Sequence, residues 1–532
     1  MDSIVLVGRC RRRPAIGWNL PQPMEKGEWL NVVSVDATET DHLEREVAPG
    51  VPPFARLPVL VIAGLAGALL VWTSTRYGHG FDEVYFLMAG RDHLDWGYFD
   101  QPPLVPALAG ALDSLFPGSL LALRLPTALA AMAGIVVTAL IARELGGGRG
   151  AQAMAAGCYA TSGVVVLSHL LGTYTIDPLW WTVIAWLVVR WVRSHREGRG
   201  DDRPLLWAGI VTAVSLETKF LIPAFWAALT LSALVLGPRE LLRRPLLWAG
   251  AAIAVVATVP TLLWQAAHGW PYAHMSDVVA AEFPGYGPFF RDGLLGAGIG
   301  VGVLAFVYGL ARLVSARHFR PYRFVGFAIL LTIAGFALAH GRSYYLLSVL
   351  AVPFAVAAVD VSRLRLPSWS RVLAWPAFAL SAAVLAAGLP IYPASAVADM
   401  PASWGPIPLG SAMAGGELPQ QQLGELVAKT YEALPPEQKA HTVVFAEIYP
   451  FASAIEYNGA GRGVGTVYSG HRGYWYFGAP PESARDVLFV GFDPGKLGRY
   501  FTATAPVIDG LAWLETGRTR AWAEIWPTLR TQ

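Results

Sequence analysis

FDEVYFLMAGRDHLDWGYFDQPPL, residues 81–104, lies between the first long apolar run of the chain and the second. It carries Asp82, Glu83, Asp92 and Asp95 ahead of its proline pair, and Asp100 stands just before Pro102 and Pro103. A loop joining two membrane spans needs no such mixture of carboxylates, aromatic rings and prolines. Charged groups at the rim of a bilayer are costly to place and tend to be functional. The stretch therefore reads as a working edge at a membrane surface, and the chain around it as the scaffold that holds it there.

Composition supports that scaffold. The chain has 532 residues, of which 54% are hydrophobic and 15% charged, against about 25% charged in an average soluble protein. Mean hydropathy is +0.43. The 20 tryptophans suit many membrane interfaces, where indole rings settle at headgroup level. Cys10 and Cys158 are the only cysteines, and Cys158 falls inside an apolar run. That excludes a disulfide framework and argues against a cysteine-rich metal site. No nucleic-acid partner is expected; membrane lipids are.

Outward from the quoted stretch, apolar runs alternate with short polar loops. Runs of roughly 17–25 apolar residues are long enough to cross a bilayer as helices. They fall near 57–75, 119–142, 151–170, 178–193, 204–219, 221–237, 246–267, 293–314, 323–340, 343–361 and 371–392. The expected fold class is mainly α: a polytopic membrane helix bundle of about eleven spans, over residues 55–393. Arginines collect in alternate loops, among them Arg143 and Arg149, then Arg193, Arg196, Arg199 and Arg203, then Arg312, Arg317, Arg320 and Arg323. Those loops are predicted to be cytoplasmic. The loops holding Asp82, Glu83, Asp100 and Asp177 are then extracytoplasmic. Residues 1–54, with Arg9 and Arg11–Arg13, read as a poorly ordered cytoplasmic tail. An odd span count puts the C-terminus outside, in a multi-pass protein of the plasma (inner) membrane.

After about Pro393 the character changes. Pro393, Pro401, Pro406 and Pro408 mark a linker. Gln420–Leu434 reads as an amphipathic helix, Thr442–Phe445 and Val487–Val490 as short buried strands, and Pro450–Tyr457 as a helix between them. Strands alternating with helices predict a small extracytoplasmic α/β domain over 394–532.

Several residues can carry chemistry. Asp82 and Glu83 can act as general base on a hydroxyl or coordinate a divalent metal that organises a phosphate. An acidic pair also suits the first turn of a helix for its dipole alone. Asp100, in WGYFDQPP, sits among rings that suit a sugar or an isoprenoid, or an interfacial aromatic belt. Asp177, in TYTIDPLWW, is held near the outer interface, where Asp-Pro also makes a good helix start. Lys219 can neutralise a phosphate or snorkel to water. Arg342, beside Tyr344 and Tyr345, offers a second cation suited to bidentate phosphate binding. His268, His274 and Glu282 match no metal signature.

In this order the motifs resemble the GT-C glycosyltransferases of the protein-mannosyltransferase-like class, which includes aminoarabinose transferases. The resemblance rests on the quoted stretch, GTYTIDPLWW, ETKF, GRSYYLL, FAEIYPFASAIEYNG and SGHRGYWYFG. It implies transfer of a sugar from a polyprenyl-phosphate carrier to a lipid, glycan or protein acceptor at the outer face, with inversion at the anomeric carbon. It implies Asp82 as general base or acceptor-orienting carboxylate with Glu83 beside it, and Asp100, Gln101, Asp177, Lys219, Arg342, Tyr344 and Tyr345 as substrate-binding residues. Gln101 stands where relatives usually carry His or Lys, which removes a cation from the donor site. No cofactor is implied with certainty, and a divalent metal remains an alternative. The rival reading is a transporter or flippase of lipid-linked sugars, which inverted repeats and interrupted helices would signal. A catalytically silent scaffold that works through the outer domain is a third.

Overall fold

Each of the eleven apolar runs coincides with a helix or a broken pair of helices in the computed structural model, which describes residues 51–364 and 367–531. The expected tail lies outside the described residues as far as residue 50. Arg56–Thr73, Leu120–Glu144, Pro245–Ala267 and Arg317–Leu338 are each long and apolar enough to cross a membrane alone. Two further pairs qualify only together, bent by 104° at Tyr286–Gly296 with Val301–Ser315 and by 53° at Ser343–Val349 with Ala351–Arg363. Length and composition thus give four to six crossings where the hydropathy pattern gives about eleven. The difference comes from helices that are short or broken, and from Thr173–Arg196, which is long but not apolar enough.

The long helix Pro245–Ala267 exposes Val255, Val256 and Leu263. Side chains of that kind on the outside of a bundle belong against lipid, where all backbone groups must be satisfied within the helix. Helices Arg203–Thr218 and Pro245–Ala267 touch at Gly209 and Gly250, where a Cβ on Gly209 would overlap the backbone of Gly250. Small residues allow this backbone approach where no hydrophobic force draws helices together.

The quoted stretch is largely helical. Phe81–Asp92 is a helix, followed by an irregular segment and then by helix Leu104–Leu115. The two pack through glycines: a Cβ on Gly90 would overlap the carbonyl oxygen of Pro106. Trp264 Nε1 donates to Asp95 at 2.7 Å and Gln265 Nε2 to the carbonyl of Tyr98 at 2.9 Å. Helix Pro245–Ala267 thereby fixes the segment that carries Asp100.

The C-terminal segment is α/β. Strands β1 (Ser403–Trp404) and β2 (Ile407–Pro408) form a small antiparallel pair. Strands β3 (Thr442–Ala446), β4 (Val467–Tyr468), β5 (Asp486–Val490), β6 (Phe501–Ile508) and β7 (Ala512–Arg518) form one sheet in the order β4-β3-β5-β7-β6. The β4-β3-β5 half is parallel and β7 and β6 run antiparallel. Strand β5 is buried throughout, as parallel strands covered on both faces are. Helix Gly410–Glu432 packs on helix Tyr449–Gly459, extending the predicted Gln420–Leu434 element toward its N-terminus. Residues 51–532 make one compact unit. One hydrophobic cluster joins Tyr85, Phe86 and Leu87 of the first motif to Val427, Val444, Ile455 and Leu488 of the C-terminal segment.

Candidate active site

Neighbouring residues on a helix point about 100° apart, and this separates the two adjacent acids. Helix Phe81–Asp92 starts at Gly80, with Asp82 and Glu83 in its first turn. Glu83 turns into the protein and is 1% exposed. It accepts from the N–H of Gly80 at 3.2 Å and of Leu171 at 3.0 Å, and from Arg124 Nη2 at 2.7 Å. Arg124 also donates to the carbonyls of Ser74 and Gly78 and to Glu417, which pairs in turn with His169. Glu83 is therefore a capping and ion-pairing residue and does not line the cavity described next.

Asp82 turns the other way, into a cavity of about 1150 Å³. The cavity is lined by Asp82, Asp100, Gln101, Lys219, Arg342, Tyr344 and Tyr345, and by Tyr174, Glu282, Tyr449, His471 and Arg472. Seven of the nine sequence-predicted site residues thus share one space; Glu83 and Asp177 do not. Asp177 lies 1% exposed inside helix Thr173–Arg196, accepting from Ser215 Oγ at 3.1 Å. That helix starts upstream of the Asp177–Pro178 pair, so Asp177 is not its cap.

Two acids face the cavity with a phenol on each. Tyr449 donates to Asp82 Oδ1 at 2.6 Å, and Tyr85 donates to Asp100 Oδ1 at 2.9 Å. Three cations face it as well. Lys219 Nζ lies 4.8 and 4.6 Å from the ring centres of Tyr344 and Tyr345, close enough for cation–π attraction. No carboxylate pairs with it among the described residues. Arg342 donates to Tyr344 at 3.2 Å and to Glu282 Oε2 at 2.5 Å. Arg472 donates to Glu282 Oε1 at 2.8 Å.

Burial raises the pKa of Asp82; Tyr449, Arg342, Arg472 and Lys219 pull it down without reversing the rise. Asp100 is pushed up to about 6, again by burial first, against the pull of Arg472 and the Tyr85 hydroxyl. Glu83 behaves oppositely: burial would raise it, but Arg124 holds it below its ordinary value. A carboxylate with a raised pKa is a stronger base once ionised, which is what proton removal from a hydroxyl asks of it.

No group of three or more His, Cys, Asp or Glu side chains is placed to hold a metal ion among the described residues. Asp82 and Asp100 each already receive a phenol, and three basic side chains crowd the same cavity. That donor set suits an anion better than a divalent cation.

Residues 100–264 match the family described as dolichyl-phosphate-mannose-protein mannosyltransferase, over about a third of the chain. No curated protein matches the sequence significantly. Among solved structures, ArnT from Cupriavidus metallidurans in the apo state aligns with a TM-score of 0.57 at 14% identity, over 89% of this chain and 99% of that one. The same protein bound to undecaprenyl phosphate aligns with a TM-score of 0.53 at 16% identity, over 86% of this chain and 97% of that one. The chain shares the fold of ArnT.

Four residues that the structure brings to the site or its support carry no such role in the sequence reading. Tyr449 and Arg472 belong to EIYP and SGHRG, which carried the resemblance but received no role. From the sequence, Glu282 stands out only beside His268 and His274, where it matches no metal signature. Arg124 is the one Lys or Arg inside the apolar run 119–142, and a lone charge in a predicted span is itself a signal.

Proposed function

We propose that this chain is a membrane glycosyltransferase that moves a sugar from a polyprenyl-phosphate donor to a lipid, glycan or protein acceptor at the extracytoplasmic face. The observation that carries this reading is one cavity holding Asp82 and Asp100 beside Lys219 and Arg342. In the proposed step the acceptor hydroxyl oxygen attacks the anomeric carbon and its proton passes to Asp82. The bond from that carbon to the phosphate oxygen breaks on the opposite face, so the configuration inverts. The electron pair leaves with the phosphate, whose growing charge Lys219 and Arg342 stabilise. Basic side chains supply that charge, and no step passes through a metal. The rings of Tyr174, Tyr344 and Tyr345 offer faces to the sugar or to the isoprenoid.

The bent pairs Tyr286–Gly296/Val301–Ser315 and Ser343–Val349/Ala351–Arg363 keep a flippase as the rival, because interrupted helices mark transporters. Lipid and glycan mass spectrometry on a deletion strain separates the two. Unused donor gathering at the outer leaflet, with acceptor unmodified, is expected of the transferase. Donor retained at the inner leaflet would favour the flippase. In the purified protein, Asp82→Asn is expected to fold and to lose transfer; turnover near wild type would remove Asp82 from the base role.

A further inference from the structure

The cavity has one wall that the helix bundle does not supply. Arg472 comes from the C-terminal segment, in SGHRG, and its backbone sits at φ 49°, ψ −128°. Non-glycine residues rarely adopt positive φ, and such strain collects at ligand clamps. Its own N–H donates to the carbonyl of Thr531 at 3.0 Å, and Thr531 N–H donates back to Gly470 at 2.8 Å, which fixes the strained turn. The next residue must be glycine-like: a Cβ on Gly473 would overlap the Tyr85 hydroxyl. The turn is thus pressed against the helix that carries Asp82.

Three observations say what the turn holds in place. The Arg472 side chain is only 13% exposed, and its Nε is buried with no hydrogen-bond partner among the described residues. Gln101 Nε2 is another buried donor without a partner, on a residue 3% exposed that lines the same cavity. Arg472 and Arg342 grip the two oxygens of one carboxylate, that of Glu282, whose side chain is 44% exposed. Two guanidiniums converging on the two oxygens of one anion is the arrangement that grips a phosphate. A buried donor left unmade is costly, so two of them on residues that line one cavity point to an acceptor there.

We propose that Arg472 is a third cation for the carrier phosphate, contributed by the C-terminal segment, and that the Glu282 carboxylate competes with that phosphate for the two arginines. This rests on the donor reading given above. The ligand class is a phosphate monoester or diester at the end of an isoprenoid chain. With the guanidinium drawn onto phosphate oxygens, Arg472 Nε and Gln101 Nε2 both gain the acceptor they lack, and Glu282 is released to water, where a half-exposed carboxylate is easily solvated.

The test is isothermal titration of the purified full chain in detergent with a polyprenyl phosphate, with the matching polyprenol and inorganic phosphate as separate ligands. Wild type is expected to bind polyprenyl phosphate, to ignore polyprenol, and to lose lipid binding as inorganic phosphate is added. Arg472→Gln should weaken polyprenyl phosphate binding about 10- to 100-fold, the loss expected for hydrogen bonds to a charged group, and Arg472→Lys should recover part of it. Glu282→Gln should tighten binding, by up to about fivefold, because it frees a half-exposed ion pair. A purely structural tie between Glu282 and the arginines would give no gain, so this variant stays decisive even where Arg472→Gln folds poorly. Unchanged binding in both Arg472→Gln and Glu282→Gln, with Lys219→Met weakened, would overturn the role of Arg472 and leave the donor reading intact. Wild type that binds polyprenol as well as the phosphate would overturn the donor reading itself.

Discussion

Glu83→Gln and Asp82→Asn change neighbouring carboxylates by the same single atom and are expected to fail in opposite ways. Glu83 faces the protein interior and takes the Arg124 guanidinium at 2.7 Å through Nη2 and at 3.0 Å through Nε. Both side chains are almost fully buried, at 2% exposure for Arg124 and 0% for Glu83. In Glu83→Gln the new amide would keep one oxygen for the N–H of Gly80 or Leu171, but its NH₂ would confront guanidinium donors. Arg124 would retain Glu417 at 3.2 Å and two backbone carbonyls. Breaking one partner from a buried pair costs about 3–5 kcal/mol, and the surviving Glu417 contact places the expected loss near the lower end, about 3 kcal/mol. The assay is denaturation of the purified protein in mixed micelles, followed by circular dichroism, beside sugar transfer measured per folded molecule. Glu83→Gln should unfold earlier while its folded fraction keeps transferring. Asp82→Asn should unfold close to wild type and lose transfer. A Glu83→Gln protein of wild-type stability that cannot transfer would refute the assignment of roles.

Transfer should fall on the acid side above the ordinary carboxylate range, because burial raises Asp82 and brings Asp100 to about 6; a pH–rate profile flat down to about pH 5, within reach of ordinary carboxylate values, would contradict this. Tyr449→Phe removes the 2.6 Å donor that favours ionised Asp82, so the acid limb should move to higher pH, by up to about one unit given a hydrogen bond worth about 1.5 kcal/mol. Gly90→Leu should abolish a stable fold, since even a Cβ at that position collides with the Pro106 carbonyl; recovery of monodisperse protein in detergent checks it. Addition of a chelator is expected to leave transfer unchanged if, as proposed, Lys219, Arg342 and Arg472, which line the cavity, supply the positive charge.

The bundle was legible because hydropathy is a local property: a run of apolar residues declares a helix wherever the helix packs. The cavity half drawn from early motifs was legible for a related reason, since Asp82, Asp100 and Gln101 sit within one short stretch. What local pattern does not encode is direction. Nothing in the pair Asp82–Glu83 says which one turns inward; that is decided by Arg124, 41 residues further on. Tyr449 reaches Asp82 across 367 residues, and no periodicity reports such a contact. Asp177 reads as a substrate-binding acid, or as a cap because Asp-Pro usually starts a helix, but here the backbone is already helical from Thr173 and its carboxylate turns to Ser215. The hairpin of β6 and β7 was missed although Asp509–Gly510 is a turn signal, with Gly510 at φ 65°. Its strand β6 is exposed along most of its length, so the alternation that betrays a strand is faint.

The same contacts explain why the C-terminal segment and the bundle form one unit. Helix Phe81–Asp92 is held on two faces by residues of the C-terminal segment. On the inner face Glu417 joins the Glu83–Arg124 pair, and on the cavity face Tyr449 holds Asp82. Between them Tyr85 packs among Tyr449, Tyr474 and Phe477 at ring distances of 4.8 to 6.5 Å. If Asp82 is the base proposed above, a short helix held on one side only would leave it free to rock, and a displacement of about 1 Å from attack geometry can cost about 100-fold in rate. Burying one side of that helix under the sheet segment and locking the other through an ion pair removes this freedom. The segment therefore fixes Asp82 through Tyr449 as well as lining the cavity beside it.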